Sequence, residues 1–230
     1  MLDCLFCGQQ EIKKIMLKEI LFFTKITEEK LCRKCKKNLV VLKKFATCRG
    51  CGRKLKDSKL CEDCLKWQVK YPKVELRHLA LYEYNLFIKE WMERFKFQGD
   101  YRLRNLFNEE VKAIFKTYKK EIVIPVPISQ LSYQKRGFNQ VTAILKAAEI
   151  PYTDCLINEK NQLKQSSKTR KERLQMEQPF HLIKEKAEFI KNQSLVIVDD
   201  VYTTGRTILY AKDILIKHGA RNVRSFSIAR

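Results

Sequence analysis

Eight cysteines fall in four Cys-x-x-Cys pairs within the first 64 residues: Cys4/Cys7, Cys32/Cys35, Cys48/Cys51 and Cys61/Cys64. Two intervening residues let both sulfurs of a tight turn face one ion, and two such turns complete the tetrahedral thiolate site that zinc prefers. The pattern predicts two structural Zn²⁺ ions, because an all-cysteine shell leaves no open position for water. A redox motif needs only one Cys-x-x-Cys at a helix start after a strand, so four copies argue against it. Pairing in chain order puts Cys4, Cys7, Cys32 and Cys35 on one ion and Cys48, Cys51, Cys61 and Cys64 on the other. Chain order closes the shorter loops at lower entropic cost, while a cross-braced exchange of the inner partners stays open. Gly8 and Gly52 each follow a pair, where a knuckle turn favours positive φ. With few apolar residues to bury, residues 1–70 are expected to form a module that needs its metal to fold.

The chain has 230 residues and a formal charge of +21. Eight zinc-bound thiolates and two divalent ions lower this to about +17. Such an excess suits a polyanion, with nucleic acid the first candidate. A lysine-rich composition with no such partner accounts for it equally well. Arg33, Lys34, Lys36, Lys37, Arg49, Arg53 and Lys54 lie among the knuckles and suit phosphate contacts, or else they solvate a small module. Glu11–Phe23 reads as helical. Its apolar part is broken by Lys13, Lys14, Lys18 and Glu19 and is too short to span a bilayer. Paired cysteines without a signal peptide point to the cytoplasm.

Val69–Val74, with Pro72, reads as a linker, and residues 76–230 as an α/β domain. Leu79–Tyr84 suits a strand and Leu86–Phe97 an amphipathic helix. A turn at Gly99–Asp100 leads into a second helix reaching Tyr118. Ile122–Val126 is a short strand, a polar loop follows through Gly137, and Asn139–Glu149 is helical. Ser194–Val198 is a continuous apolar strand, as expected of a parallel strand buried on both faces. Thr207–His218 is a helix closed by Gly219, and Asn222–Ile228 is the next strand. This βαβ unit puts Asp199–Thr207 at the carboxyl edge of the sheet, where open α/β sheets bind ligands. There Thr203, Thr204, Gly205, Arg206 and Thr207 offer converging N–H groups, hydroxyls and a helix N-terminus to one phosphate. Asp199 and Asp200 would repel that phosphate, but one sugar-length away they suit ribose hydroxyls or Mg²⁺ through water. An Asp-rich turn that only caps a helix is the plainer alternative. The loop is neither a dinucleotide fingerprint nor a Walker loop. Cys155 reads as a small core residue, and His218 as a partner for a helix C-terminus.

LVIVDDVYTTGRT, Leu195–Thr207, resembles the motif that binds 5-phosphoribosyl 1-pyrophosphate (PRPP) in type I phosphoribosyltransferases. Four further features join it: the cysteine pairs, Lys96-x-x-Gly99-Asp100, IPVPIS followed by Arg136–Gln140, and Gln165 with Arg173. Together they make essentially the whole chain similar to the ComF/ComFC family of late competence proteins. The resemblance implies a type I phosphoribosyltransferase-like parallel sheet flanked by helices, preceded by a Cys4-type zinc module. It implies a cytoplasmic role in DNA uptake during natural transformation, recruited to the uptake machinery beside a competence helicase and single-strand DNA handling proteins. Asp199 and Asp200 would then hold the ribose hydroxyls as the catalytic pair, and Thr203–Thr207 the 5-phosphate. Lys135 and Arg136, in the loop Ile128–Gly137, would meet the pyrophosphate. Lys160–Arg173 would be a mobile cover, although Met176 stands where the family often carries Asn. Two functions are compatible with this. One is a DNA-uptake protein that binds a phosphoribosyl ligand and single-stranded DNA. The other is an active phosphoribosyltransferase moving phosphoribose from PRPP, with Mg²⁺, to a nucleobase, amine or other acceptor.

Overall fold

The computed structural model describes residues 2–11, 29–57, 59–118, 120–159 and 178–230. The helix expected over Glu11–Phe23 and the cover expected over Lys160–Arg173 therefore lie almost entirely outside the described residues. The centre of the fold is a parallel sheet of β3 (His78–Tyr82), β4 (Ile122–Pro125), β7 (Ser194–Val201) and β8 (Asn222–Ala229), in the order β3-β8-β7-β4. Central β7 is apolar throughout Leu195–Val198 because both of its faces are covered. Val196 and Val198 pack with α3 (Leu86–Phe97), α4 (Asn108–Phe115) and α6 (Gln140–Ala147), whereas Leu195 and Ile197 pack with α8 (Arg206–Lys217). That split is the period-2 alternation of a strand. Trp91 and Phe95 of α3 have no exposed surface, and truncating either to Ala should cost about 3–5 kcal/mol. A side hairpin pairs β5 (Leu156–Asn158) with β6 (Phe180–Leu182). No helix among the described residues is long and apolar enough to cross a membrane.

The first seventy residues repeat one construction twice. In the first half a knuckle sits between β1 (Leu2–Asp3) and β2 (Gln10–Glu11), and Cys32 then caps α1 (Arg33–Lys36). In the second half a Cys48–Cys51 knuckle is followed by Cys61 capping α2 (Glu62–Lys70). Gly8 N–H donates to Cys4 O and Gly52 N–H to Cys48 O, both glycines at φ +72° as their positions predict. The halves separate in the core. Cys4, Phe6, Leu31, Cys32 and Cys35 join the α3 side of the sheet, and Cys48, Cys51, Cys61 and Cys64 join the α8 side.

Three expectations need correction. The helix expected to reach Tyr118 is interrupted: Tyr101–Asn105 is a 3₁₀ turn and α4 starts only at Asn108. The Trp91 indole takes the Leu103 carbonyl at 3.1 Å and the Asn105 amide takes that of Arg102, so side chains compete with the helical ladder. The polar loop through Gly137 contains α5 (Gln130–Arg136), capped by the Ser129 hydroxyl and closed by Gly137 at φ +76°. Strand β7 continues past Val198 to Val201, so both aspartates belong to the strand.

Candidate functional site

The end of β7 carries the acids and the turn after it forms the cradle. Beyond Val198 the strand leaves the packed layers, so Asp199 keeps partial access to solvent while Asp200 turns inward and is buried. Asp200 N–H donates to Asp199 Oδ1 at 2.9 Å, which fixes the first carboxylate against the backbone. Tyr202 N–H donates to Ala229 O and ties the turn to β8. Gly205 then adopts φ +81° as the N-cap of α8. A Cβ there would lie 2.1 Å from the Tyr202 hydroxyl, so glycine is required by conformation and by space. The free N–H groups and positive dipole end of α8 begin at this point.

A cleft of about 590 Å³ opens in front of the turn. Its floor is Asp199, Asp200, Val201, Thr203 and Thr207. One side comes from the loop before α5 together with Ser132, Arg136 and Gln140, and the other from Lys89, Met92, Glu93, Lys96 and Phe97 of α3. Arg136 donates to Gln140 Oε1 at 3.0 Å and lies over the Phe97 ring, which holds its guanidinium at the rim. Of the residues expected at a phosphoribosyl site, Asp199, Asp200, Thr203, Thr207 and Arg136 line this cleft. Lys135 is exposed on α5, outside the lining. Thr204, Gly205 and Arg206 also lie outside the lining. Arg206 N–H reaches Thr204 Oγ1 at 3.4 Å, and the Thr204 carbonyl points to the Trp67 indole.

Lys96 is the residue whose role at the site could not be read from the sequence. Its Nζ lies 2.7 Å from Asp200 Oδ2, with both side chains largely buried. The contact is ionic and lacks hydrogen-bond geometry. The spacing Lys96-x-x-Gly99-Asp100 was visible, but nothing local indicates that the amine crosses to a strand a hundred residues away. Asp100 has a separate job, taking Arg94 and Arg102, which hold its carboxyl below the usual range.

Burial pushes the Asp199 carboxyl up to about 7, with Asp200 adding repulsion and Lys96 opposing the shift. A carboxyl raised in the folded state contributes stability below its unfolded value near 4, and that contribution is lost as pH rises through about 7. Asp199→Asn should therefore change thermal stability little at pH 4 and raise it by roughly 2 kcal/mol at pH 8, read by scanning calorimetry across that range. An acid held at such a disadvantage is characteristic of a site kept for a ligand.

The cysteines form two closed clusters. Within Cys4, Cys7, Cys32 and Cys35, and within Cys48, Cys51, Cys61 and Cys64, all sulfurs lie within 4.8 Å of one another. The chain brings the pairs together in sequence order. The separations Cys7–Cys32, Cys48–Cys64 and Cys51–Cys61 are each 3.7 Å. A tetrahedron with bonds of about 2.3 Å has edges of about 3.8 Å, so both sets fit a Zn²⁺-sized ion, and no pair is a disulfide. Cys155 is fully buried with its thiol pushed up to about 12, a core residue as expected. His218 Nδ1 sits 2.8 Å from Ile214 O at the end of α8, also as expected. Among the described residues, several of the basic side chains at the knuckles have acidic partners: Arg33 with Glu11, Lys36 with Glu29, Arg53 with Asp63 and Lys54 with Glu83.

The phosphoribosyl transferase domain family matches residues 113–230. The chain is 33% identical over 229 residues, all of both chains, to competence protein ComFC of Streptococcus pneumoniae. The chain belongs to the ComFC family of competence proteins. Within that family it is also 33% identical to ComFC of Bacillus subtilis, across its whole length and 95% of the relative. Competence protein F of Haemophilus influenzae is 27% identical, across 89% of this chain and 92% of that one. This chain thus combines two cysteine clusters with a phosphoribosyltransferase-like domain whose cleft is lined by Asp199, Asp200, Thr203 and Thr207.

Proposed function

We propose that this ComFC-family chain binds PRPP or a related phosphoribosyl ligand and serves DNA uptake during natural transformation with single-stranded DNA as a second ligand. The reading is carried by one observation, the convergence of Asp199, Asp200, Thr203, Thr207 and Arg136 on one cleft. Asp199 and Asp200 would accept hydrogen bonds from ribose hydroxyls, and the turn Thr203–Thr207 would take the 5-phosphate on its amides and hydroxyls. Arg136, with Lys135 on the next position of α5, would meet the pyrophosphate. Mg²⁺ bound with the ligand supplies neutralisation of the diphosphate charge. Zn²⁺ in the two clusters of residues 1–70 would be structural and support the transferase-like part at 76–230. Single-stranded DNA would meet the basic surface, with Lys34 and Lys37 better placed than their acid-paired neighbours. The chain would act in the cytoplasm at the uptake machinery, beside a helicase and single-strand DNA handling proteins, a reading that the likeness to competence proteins supports.

A second reading, an active transferase, is favoured by the α3 wall. Lys89, Met92, Glu93 and Phe97 line the same cleft as the acids, and an acceptor would sit against them. In that case pyrophosphate would leave C1 of the ribose and protein groups would act by positioning and charge stabilisation.

Calorimetric titration of the zinc-loaded protein with PRPP and Mg²⁺, with and without single-stranded DNA, tests both. Saturable binding lost in the Asp200→Asn/Gly205→Val double variant is expected. DNA affinity should fall steeply with salt. Pyrophosphate release on adding a candidate acceptor would favour the transferase, and a wild-type protein that binds no PRPP would remove both readings.

A further inference from the structure

The second cysteine cluster is linked to the phosphate turn through two side chains, Trp67 and Arg230. Cys61 caps α2 and Cys64 lies in its first turn; one turn later, Trp67 of the same helix donates its indole N–H to Thr204 O at 3.1 Å. Whatever fixes Cys61 and Cys64 therefore fixes the angle at which Trp67 meets the turn. From the opposite direction comes Arg230. Its Nη2 donates to Cys51 Sγ at 3.4 Å, and its Nη1 donates to Thr203 O at 2.8 Å and reaches Tyr202 O at 3.4 Å. The same guanidinium lies over the Tyr202 ring, and that ring is pressed against Gly205. Three consecutive carbonyls of the turn, those of Tyr202, Thr203 and Thr204, thus face donors tied to the cluster.

Carbonyls held from behind leave the amides of the same peptide units facing forward, the orientation an anion needs. Four thiolates around one divalent ion also keep about two net negative charges, so a cation beside Cys51 is stabilised there when the ion is bound. Among the described residues the first cluster has no such link. Its contact runs to α3, where Arg94 donates to Phe6 O at 2.6 Å.

We propose that Arg230 and Trp67 are positioning residues that make the second cysteine site the anchor of the phosphate turn. The turn keeps its anion-ready shape only while Cys48, Cys51, Cys61 and Cys64 hold their metal. The shape is read from the structure, and its use for a phosphoribosyl ligand rests on the function proposed above.

Amide hydrogen exchange across Tyr202–Thr207, measured by mass spectrometry on the full zinc-loaded chain, tests the anchor without any ligand. Trp67→Phe and Arg230→Ala should each speed exchange of that turn by about tenfold while the amides of Leu195–Val198 stay protected. Arg230→Ala should also speed zinc release to a chromogenic chelator from one of the two sites, by about tenfold or more. Arg230→Lys keeps the charge but cannot bridge sulfur and carbonyls, so it should slow zinc release again and leave the turn mobile. Cys7→Ser, in the other cluster, should leave exchange of the turn unchanged. A turn whose exchange is unmoved in both Trp67→Phe and Arg230→Lys would overturn the proposal, and these mild changes serve even if Arg230→Ala does not fold. PRPP titration of the same proteins separates the two ideas. A wild-type chain that binds no PRPP removes the ligand and leaves the anchor to stand or fall on exchange.

Discussion

Gly205→Ala is expected to abolish phosphoribosyl binding and to lower stability more than any other single methyl group added at this site. The backbone at φ +81° costs a non-glycine residue about 1–2 kcal/mol. The new Cβ would then sit 2.1 Å from the Tyr202 hydroxyl and 2.5 Å from its Cζ. Tyr202 cannot yield easily. It is buried, its ring lies 4.4 Å from that of His78, and Arg230 covers its other side. Forced overpacking of this kind adds about 1–3 kcal/mol. The total, about 2–5 kcal/mol, corresponds to a melting temperature lower by roughly 5–15 °C for a chain of this length. Gly99→Ala is the control, since Gly99 has nearly the same φ, +73°, and nothing within 4 Å of an added Cβ. It should cost only about 1 kcal/mol and leave PRPP affinity intact. Equal losses in the two variants would mean that the crowding against Tyr202 is unimportant. Retained PRPP binding in Gly205→Ala would mean that the ligand does not use this turn.

Lys96→Met should produce the second large effect, with a pH signature of its own. The ammonium is the nearest cation to two adjoining carboxylates, in ion-pair contact with Asp200 and lowering the pKa of Asp199. Removing one partner of a buried pair leaves an uncompensated charge. Because the cleft is open to solvent, the loss at neutral pH should be about 1–3 kcal/mol, below the full buried-pair value. Without Lys96 the Asp199 carboxyl rises further and takes up a proton more readily. The destabilisation should therefore be small at pH 5, where the proton replaces the amine, and largest at pH 8. PRPP affinity should fall at least about tenfold at pH 7, since a protonated Asp199 is a poorer acceptor for a ribose hydroxyl, and recover in part at pH 9. Calorimetry at the four pH values reads both effects. An affinity indifferent to Lys96 at every pH would place the sugar away from the acids.

Much of this was legible along the chain. Helix α3 runs over Leu86–Phe97 as its amphipathic spacing predicts, and the apolar run before Asp199 is the central strand of the sheet. The glycines at positions 8 and 52 take the positive φ expected of knuckle turns. What misled was local competition between hydrogen-bond partners. The Trp91 indole captures a carbonyl that would have continued the helix beyond Leu103, and the Ser129 and Gly137 caps turn a polar stretch into α5.

The sequence alone determined the four cysteine knuckles, the α/β pattern, and the turn that follows two acids at the end of a strand, while the grouping of the knuckles into two four-sulfur sets was left to the fold. Each of these follows from spacing over a few residues, and backbone geometry at that range is set by local sterics. Only the tertiary structure decided that Lys96 neutralises Asp200 and that the two clusters serve opposite faces of one sheet. Only it decided, too, that Arg230 reaches both Cys51 and Thr203, 179 and 27 residues away. A buried charge takes whichever counter-charge the packing of distant helices brings within reach, and no short-range pattern records that choice.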